Sequence, residues 1–293
     1  MTTLSQLGED AVLHRLLPLL TANPALLVGA GDDCAVTARD NRWDSLLKTD
    51  AVVEGVHFTR DTAPERIGRK ALARAVSDMA AMGGIPEHAL VTVMVHPSRT
   101  PELLEGIYRG LAALAAQFNI SLAGGETTAL PQDGLAVSVA LTGRVEHGRA
   151  VLRSTAKAGD IICVSGRLGG SFESGRHLDF TPRVELARFL MEHGPRPSAM
   201  MDLSDGLGTD LPRLAAASRC GFEVDETRLP LHEGCTARQG ICDGEDYELL
   251  LCFPPQLFER VKGTPLPTPV SAIGKLTGKP AQTLPTGWLH FTR

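Results

Sequence analysis

The sequence predicts a mixed α/β or α+β protein built from two closely packed domains. Apolar residues recur at helical spacing in some segments, and short apolar runs ending in Gly, Asp or Ser are typical of strands. No segment repeats at a fixed period. At about 150 residues per domain, 293 residues correspond to one large or two ordinary domains. A second series of elements begins near Arg149, so we divide the chain into residues 1–147 and 148–293.

The N-terminal half alternates helices with strands. Apolar spacing predicts a helix over 4–17, which Pro18 limits. A proline at its start and paired glycines at its end predict a helix over 64–82. The remaining predicted elements are strands over 26–28, 45–48, 89–95, 120–123 and 135–145 and a helix over 101–118.

The C-terminal half begins with a strand and turn over 160–166. No linker separates it from the first half, so we expect the two halves to pack against each other. Its other predicted elements are helices over 183–193 and 207–218, strands over 221–224 and 247–253, and Pro- and Gly-rich loops over 194–198 and 263–287.

The composition disfavours several classes of protein. The net charge is −5 and there is no basic block, which is atypical of nucleic-acid binding. No apolar run reaches the roughly 18 residues of a membrane-spanning helix. The N-terminus lacks the basic region of a signal peptide, and the six scattered cysteines lack zinc spacing. We therefore expect a cytoplasmic protein with reduced thiols and no membrane or nucleic-acid partner.

Many of the 30 glycines lie beside acidic residues. Several segments share a pattern in which Asp or Glu stands next to Gly, Ser or Thr. They are Gly31-Asp32-Asp33, Thr49-Asp50, Ser77-Asp78, Gly125-Glu126-Thr127, Asp202-Leu203-Ser204-Asp205-Gly206 and Gly244-Glu245-Asp246-Tyr247-Glu248. Each segment taken alone is more simply a turn, because Asp and Gly both favour turns.

Asp78 differs from the others because it lies well inside the helix predicted over 64–82, among apolar neighbours. An aspartate buried on such a face is costly without a partner, and a divalent cation is a natural one. Arg69 and Lys70, near the start of the same helix, are more simply a solvated face.

Convergence of these carboxylates would create a site suited to Mg²⁺, which prefers oxygen ligands and is usually shared with substrate phosphates. The neighbouring glycines let backbone N–H groups approach phosphate oxygens. This combination indicates phosphoryl transfer. The chain has no Walker A motif and no protein-kinase motifs, and Gly166-Arg167-Leu168-Gly169-Gly170 matches the dinucleotide-binding pattern only weakly.

A series of motifs runs through most of the chain in a specific order and spacing. They are GDDCAV (31–36), TDAVVEGVHF (49–58), KALARAVSDMAAMGGIP (70–86), GGETT (124–128), GRAVLRSTAKAGD (148–160), VSGRLGGS (164–171), MDLSDGLGTDL (201–211), GEDYELLLCF (244–253) and GWLHF (287–291). Together they resemble the thiamine-monophosphate kinase family, of the superfamily that includes aminoimidazole ribonucleotide synthetase.

The resemblance implies both a fold and a reaction. The implied fold has an N-terminal α/β domain with a four-stranded sheet, which forms a β-barrel across a homodimer, and a C-terminal α+β domain. The implied reaction uses ATP as co-substrate and several Mg²⁺ ions. It transfers the γ-phosphoryl group directly and in line to thiamine monophosphate, which yields thiamine diphosphate and ADP.

The resemblance also implies roles for individual residues. The implied catalytic residues are Asp78 and Asp205. The implied Mg²⁺ ligands are Asp33, Asp50, Asp78 and Asp205, with Asp202 and Thr49 as helpers. The implied nucleotide contacts are Gly125, Glu126, Arg153 and Ser204, and the implied substrate contacts are His57, Glu245 and Trp288. From the residues alone, His57 and Trp288 are more simply structural.

Four positions depart from the family's pattern. Glu126 replaces Asp or Asn, Gly170 replaces an acidic residue, Ala75 replaces Asn and Asp243 replaces Gly. The stretches between Ser171 and Arg183 and between Leu231 and Asp243 are also short. Two alternatives stay open. One is another ATP-using synthetase of the same superfamily, and the other is a catalytically impaired nucleotide-binding dimer, which only the departures at Glu126 and Gly170 support.

Overall fold

The computed structural model describes residues 2–278 and 280–289, with only the backbone at residue 10. The helices are α1 (Leu4–Leu7), α2 (Glu9–Leu16), α3 (Pro64–Ala81), α4 (Pro101–Gln117), α5 (Val184–Glu192), α6 (Leu207–Ala217), α7 (Ala237–Cys242) and α8 (Pro255–Lys262). The strands are β1 (Leu26–Val28), β2 (Ala35–Ala38), β3 (Trp43–Val53), β4 (Ile85–Val95), β5 (Ser121–Ala129), β6 (Leu135–Glu146), β7 (Ile161–Ser165), β8 (Ala199–Asp202), β9 (Gly221–Val224), β10 (Leu249–Phe253) and β11 (Val270–Thr277). The mixed α/β class is confirmed.

The predicted helices α3, α4, α5 and α6 occur within about two residues of their expected ends. Proline begins α3 and α4, where its missing N–H costs nothing. The helix expected over 4–17 is instead divided at Gly8, whose φ of 75° lies outside the helical region.

The first sheet has the strand order β1-β2-β3-β6-β4-β5, and its neighbouring strands are antiparallel except β4 and β5. The expectation of four strands is therefore wrong for this chain. The segment that holds the acidic turn 31–33 has short strands on both sides, and these pair as β1 and β2 beside β3. The acidic turn is thereby fixed at one edge of the sheet.

The two faces of the first sheet differ in exposure. One face packs against α3 and α4 and buries residues such as Leu46 and Val91. The opposite face leaves Leu47, Val53 and Leu90 exposed, with Leu90 52% accessible. Period-two alternation along each strand produces this division.

The second sheet has the strand order β8-β10-β7-β11-β9, and all its pairs are antiparallel. The loop expected over 263–287 is wrong in part, because Val270–Thr277 forms β11 inside this sheet. The Gly and Pro residues around this segment conceal the strand. Gly274 is needed there because a Cβ would lie 2.1 Å from the Glu223 carbonyl oxygen, at a bulge in the pairing with β7.

The two sheets are joined by packing as well as by the chain. One group of buried apolar residues includes Met79 on α3, Leu186 and Leu190 on α5 and Met200 on β8. Helix α3 therefore lies between the halves, with its C-terminal part close to β8. No helix in the described part of the chain is long and apolar enough to cross a membrane.

Candidate active site

Three buried aspartates meet where α3 lies between the two sheets. Asp33 comes from the turn after β1, Asp78 from α3 and Asp202 from the end of β8. One carboxylate oxygen of each lies within 4.8 Å of the others. We call this trio the carboxylate group. The sequence patterns of all three segments singled out these residues, and the fold brings them together.

The negative charges of the carboxylate group repel one another. Burial and then the neighbouring carboxylates raise the pKa of Asp78 well above its usual value, although Lys48 acts in the opposite direction. Burial and then Asp33 raise the pKa of Asp202 to about 6. Closely spaced buried carboxylate oxygens of this kind fit a hard divalent cation, since it would relieve their repulsion.

Two cations already contact the carboxylate group. Lys48 Nζ lies 2.7 Å from Asp78 Oδ1. Arg153 donates from Nη2 to Asp33 Oδ1 at 2.6 Å and from Nε to Oδ2 at 3.2 Å. Arg153 was expected from the resemblance. Lys48 was missed, although its position two residues before Asp50 on a strand already predicts that the two share a face.

Asp50 and Thr49 lie on opposite faces of β3. Asp50 points to the same side as Lys48 and lies beside Arg74, with 3.2 Å between Asp50 Oδ2 and Arg74 Nε. Thr49 is exposed on the outer face of the sheet. The structure therefore brings Asp50 towards the carboxylate group and leaves Thr49 on the other side of the strand.

Ser204 and Asp205 lie in the turn between β8 and α6. Asp205 forms an ion pair with Arg213, and its backbone N–H donates to Asp210 at 2.9 Å. Asp205 lies outside the carboxylate group, whereas Asp202, expected only as a helper, is one of its three members. The turn brings both Ser204 and Asp205 to the wall of a neighbouring cavity.

This cavity, which we call the α3 cavity, has a volume of about 360 Å³. It is lined by the three expected substrate contacts, His57, Glu245 and Trp288, together with Ser204 and Asp205. Residues that are far apart in the sequence thus face one space next to the carboxylate group.

A buried network holds the base of the α3 cavity. Lys70 is fully buried and donates to the His57 carbonyl oxygen at 2.7 Å and to Glu245. The solvated face expected for Lys70 is therefore wrong, because α3 is covered on this side. Burial tends to raise the pKa of Glu245, but hydrogen bonding from His177 and the charges of Lys70 and Arg74 lower it to about 2.

His57 is neutral in this environment. Burial, followed by the Arg74 charge, lowers its pKa to about 4. Its Nδ1 accepts a hydrogen bond from the Val53 backbone N–H at 3.1 Å. A neutral imidazole whose Nδ1 accepts carries its proton on Nε2, so His57 is a hydrogen-bond donor at that atom.

The expected nucleotide contacts Gly125 and Glu126 lie elsewhere, on the edge strand β5. They line a second cavity of about 310 Å³ with Tyr108 of α4, which the sequence did not identify. Strand pairing aligns Glu126 with Thr92, Ser138 and Ala51 across the sheet. At about 4.8 Å per strand, Glu126 is about 14 Å from β3. One chain therefore does not bring Glu126 next to Asp50.

Two departures from the family's pattern contact each other. The Gly170 backbone N–H donates to Asp243 Oδ2 at 2.8 Å. Gly170 has a φ of 66°, and a Cβ there would lie 2.8 Å from Cys235 Sγ. Asp243 thereby brings a carboxylate next to position 170, and it also lines the α3 cavity.

Comparison with known proteins identifies relatives along the whole chain. The family described as AIR synthase related protein, N-terminal domain, matches residues 31–145, and its C-terminal domain counterpart matches residues 158–285. A thiamine-monophosphate kinase of Rhodopirellula baltica is 34% identical over 275 residues, covering 87% of this chain and 85% of the relative. One of Bacillus subtilis is 32% identical over 303 residues, covering 93% and 92%.

The structure is also similar to solved structures. That of AaThiL complexed with AMPPCP and TMP superposes with a TM-score of 0.85 at 28% identity, and the match covers 99% of each chain.

Proposed function

Because the chain belongs to the thiamine-monophosphate kinase family, we propose that it phosphorylates thiamine monophosphate with ATP. A phosphate oxygen of thiamine monophosphate attacks the γ-phosphorus of ATP in line. The bond between that phosphorus and the bridging oxygen of ADP breaks, so the products are thiamine diphosphate and ADP. The AaThiL complex, which holds AMPPCP and TMP, supports both substrates.

The observation that carries the proposal is the position of the α3 cavity beside the carboxylate group. The cavity residues that can bind an organic ring therefore lie next to the carboxylates that can bind the metal ions of a phosphate site. Trp288 lines the cavity, where an indole can stack on the cationic thiazolium ring of thiamine. His57 lines the same cavity as a neutral imidazole. The ionised Glu245 accepts a hydrogen bond from Lys70, which fixes this part of the cavity wall.

The carboxylate group supports Mg²⁺ as the metal, which Asp33, Asp78 and Asp202 would hold. Asp50 and Asp205, expected as ligands from the resemblance, would contribute from neighbouring positions. Thr49 remains a candidate from the outer face of β3. Bound Mg²⁺ neutralises phosphate charge that otherwise repels the acceptor. Asp78 and Asp205 are the proposed catalytic residues. Asp78 belongs to the carboxylate group, and Asp205 lines the adjoining α3 cavity, so both lie close to where the phosphates would bind.

Arg153 and Ser204 are the proposed contacts to the nucleotide phosphates from the C-terminal half. Arg153 uses Nε and Nη2 to hold Asp33, and its remaining N–H groups would donate to phosphate oxygens. Gly125 and Glu126 bind the nucleotide from β5, and Tyr108 adds an aromatic surface to their cavity. We propose two domains, residues 1–147 and residues 148–293. The first carries most of the metal and nucleotide site. ATP as co-substrate and six free cysteines favour the cytoplasm.

We also propose that the chain works as a homodimer with a β-barrel formed between the first sheets. The outer face of that sheet exposes Leu47, Val53 and Leu90, and β5 is an exposed edge strand. Such surfaces are typical of interfaces. Thr49 and Glu126 both lie on this face, so a second copy would allow Glu126 of the partner subunit to reach a site that one chain leaves incomplete.

The test is a coupled assay of ADP release with ATP, Mg²⁺ and thiamine monophosphate. The matched controls are Asp78→Ala and Asp205→Ala. We expect these variants to lose at least about 100-fold in rate, because groups that neutralise transferring phosphoryl charge contribute several kcal/mol. Wild-type turnover no higher than that of the variants would overturn the proposed function.

A further inference from the structure

One wall of the α3 cavity includes a largely buried arginine side chain that the sequence analysis did not assign to the site. Arg74 of α3 lines this cavity, and its side chain is only 13% exposed. It follows Lys70 by four residues and precedes Asp78 by four residues, so the three share one face of the helix. At 1.5 Å per residue, about 6 Å separates each from the next.

This spacing places Arg74 between the two parts of the site. Lys70, one turn before it, holds Glu245 and the His57 carbonyl. Asp78, one turn after it, belongs to the carboxylate group. A substrate that reaches from the Trp288 end of the cavity to the carboxylate group therefore passes the guanidinium of Arg74.

The guanidinium has unused hydrogen-bonding capacity. It carries five N–H donors. Within the described part of the chain, its hydrogen bond is the one from Nη1 to the Ala51 carbonyl oxygen at 3.1 Å. Nε is paired with Asp50 in an ionic contact of 3.2 Å to Oδ2, and among the described residues it has no acceptor with hydrogen-bond geometry. With Nε directed at Asp50 and one Nη1 hydrogen at Ala51, the other N–H groups remain to be satisfied at the cavity. Donors of a largely buried guanidinium are costly to leave without acceptors, so an oxygen-rich ligand suits this position.

We propose that Arg74 binds the phosphate of the acceptor substrate and makes the α3 cavity specific for a phosphate monoester. This inference rests on the proposed kinase function and adds a phosphate-recognition residue to it. The planar guanidinium presents paired donors that match two phosphate oxygens. Arg74 also places positive charge beside Asp50, one of the carboxylates of the proposed metal site.

The test measures by calorimetry how tightly thiamine monophosphate and unphosphorylated thiamine bind to the wild-type protein and to Arg74→Met. We expect the variant to bind thiamine monophosphate at least about tenfold more weakly, because hydrogen bonds to charged groups are among the stronger ones. Thiamine affinity should stay within about twofold, since the ring contacts are unchanged. Arg66→Met is the matched control, because Arg66 lies on α3 but pairs with Asp179 outside the cavity.

Arg74→Lys keeps the positive charge but lacks the paired donors of the guanidinium. It is a second test of the proposal in case Arg74→Met does not fold. It should recover part of the affinity for thiamine monophosphate. In steady-state kinetics, KM for thiamine monophosphate should rise while KM for ATP does not. Equal loss of affinity for both ligands, an unchanged affinity for thiamine monophosphate, or a rise in KM for ATP alone would overturn the role of Arg74. Absence of wild-type turnover would instead refute the kinase function, and the inference with it.

Discussion

Trp288 is held at the α3 cavity by its backbone. Its N–H donates to the Asp205 carbonyl oxygen at 2.8 Å. The preceding Gly287 approaches so closely that a Cβ would lie 2.1 Å from the same oxygen. The C-terminal segment is thereby fastened to the turn before α6, while the indole is 36% exposed and faces the cavity.

We predict that Trp288→Ala raises KM for thiamine monophosphate by about tenfold with little change in kcat. The reason is that stacking on a desolvated cationic ring contributes roughly 1–2 kcal/mol to binding. Steady-state kinetics with varied thiamine monophosphate measures this effect, and Trp288→Phe should retain part of the affinity. An unchanged KM in the alanine variant would refute the stacking role.

Asp246, in the turn over 244–248, makes the stability of the folded protein depend on pH. Its carboxylate accepts a hydrogen bond from the Gly169 backbone N–H, with N···O distances of 3.1 Å to both oxygens. Burial, and to a lesser extent the Glu248 charge, raises its pKa from 3.8 to about 7. The folded state therefore binds this proton more tightly than the unfolded state. Its contribution to stability is full below pH 4 and is lost as pH rises towards 7.

We predict that Asp246→Asn raises Tm by a few degrees at pH 8 and has little effect near pH 4. The amide keeps an acceptor for Gly169 but removes the buried charge. Thermal unfolding of both proteins from pH 4 to 8 measures the difference. Parallel Tm profiles across this range would show that Asp246 does not titrate as proposed.

At the scale of elements, α3 and α4 cross at two glycines. A Cβ on Gly68 would lie 1.9 Å from the Ile107 carbonyl oxygen, and one on Gly110 would lie 1.9 Å from the Glu65 carbonyl oxygen. The helix backbones are therefore in direct contact, and this contact supports the helix that carries Lys70, Arg74 and Asp78.

Gly110→Ala should destabilise the protein by about 1–3 kcal/mol or more, because the obstructing atoms are backbone and cannot rotate away. Urea unfolding measures the change. Gly134→Ala is the control, since the nearest atom to its Cβ is a flexible leucine carbon at 3.6 Å. Equal stability of the Gly110 variant and the wild type would mean that the helices can separate without cost.

Helices α3 and α4 were predictable because their signals are local. Proline begins α3 and α4, and apolar spacing continues through both. Strand β11 was missed because a bulge at Gly274 and flanking Gly and Pro residues resemble a loop. The predicted strand over 247–253 begins only at Leu249, because Tyr247 has a φ of 51°. That backbone conformation depends on contacts with distant segments.

At the scale of the whole molecule, the proposed homodimer predicts complementation between inactive chains. Asp78→Ala and Glu126→Ala disable different parts of the site. A heterodimer of the two contains one site with the intact carboxylate group and an intact Glu126 of the partner subunit. We expect about half of wild-type activity, because one of two sites is complete.

Co-expression of the two variants with different affinity tags and purification through both tags provides the heterodimer. The homodimer of each variant is the control and should be inactive. An inactive heterodimer would show that each site lies within one chain. Light scattering of the wild-type protein tests the dimer directly, and a monomeric mass would refute it.

The sequence by itself determined helices α3 to α6, the acidic segments and, through the order of its motifs, the family. These are properties of residue type and local spacing. Only the tertiary structure decided that Asp33, Asp78 and Asp202 meet, that Glu126 lies three strands from β3, and that Lys48 and Arg74 face the site. The physical reason is that convergence and burial depend on how α3 packs between the two sheets. That packing involves residues far apart in the chain, and no local pattern encodes it.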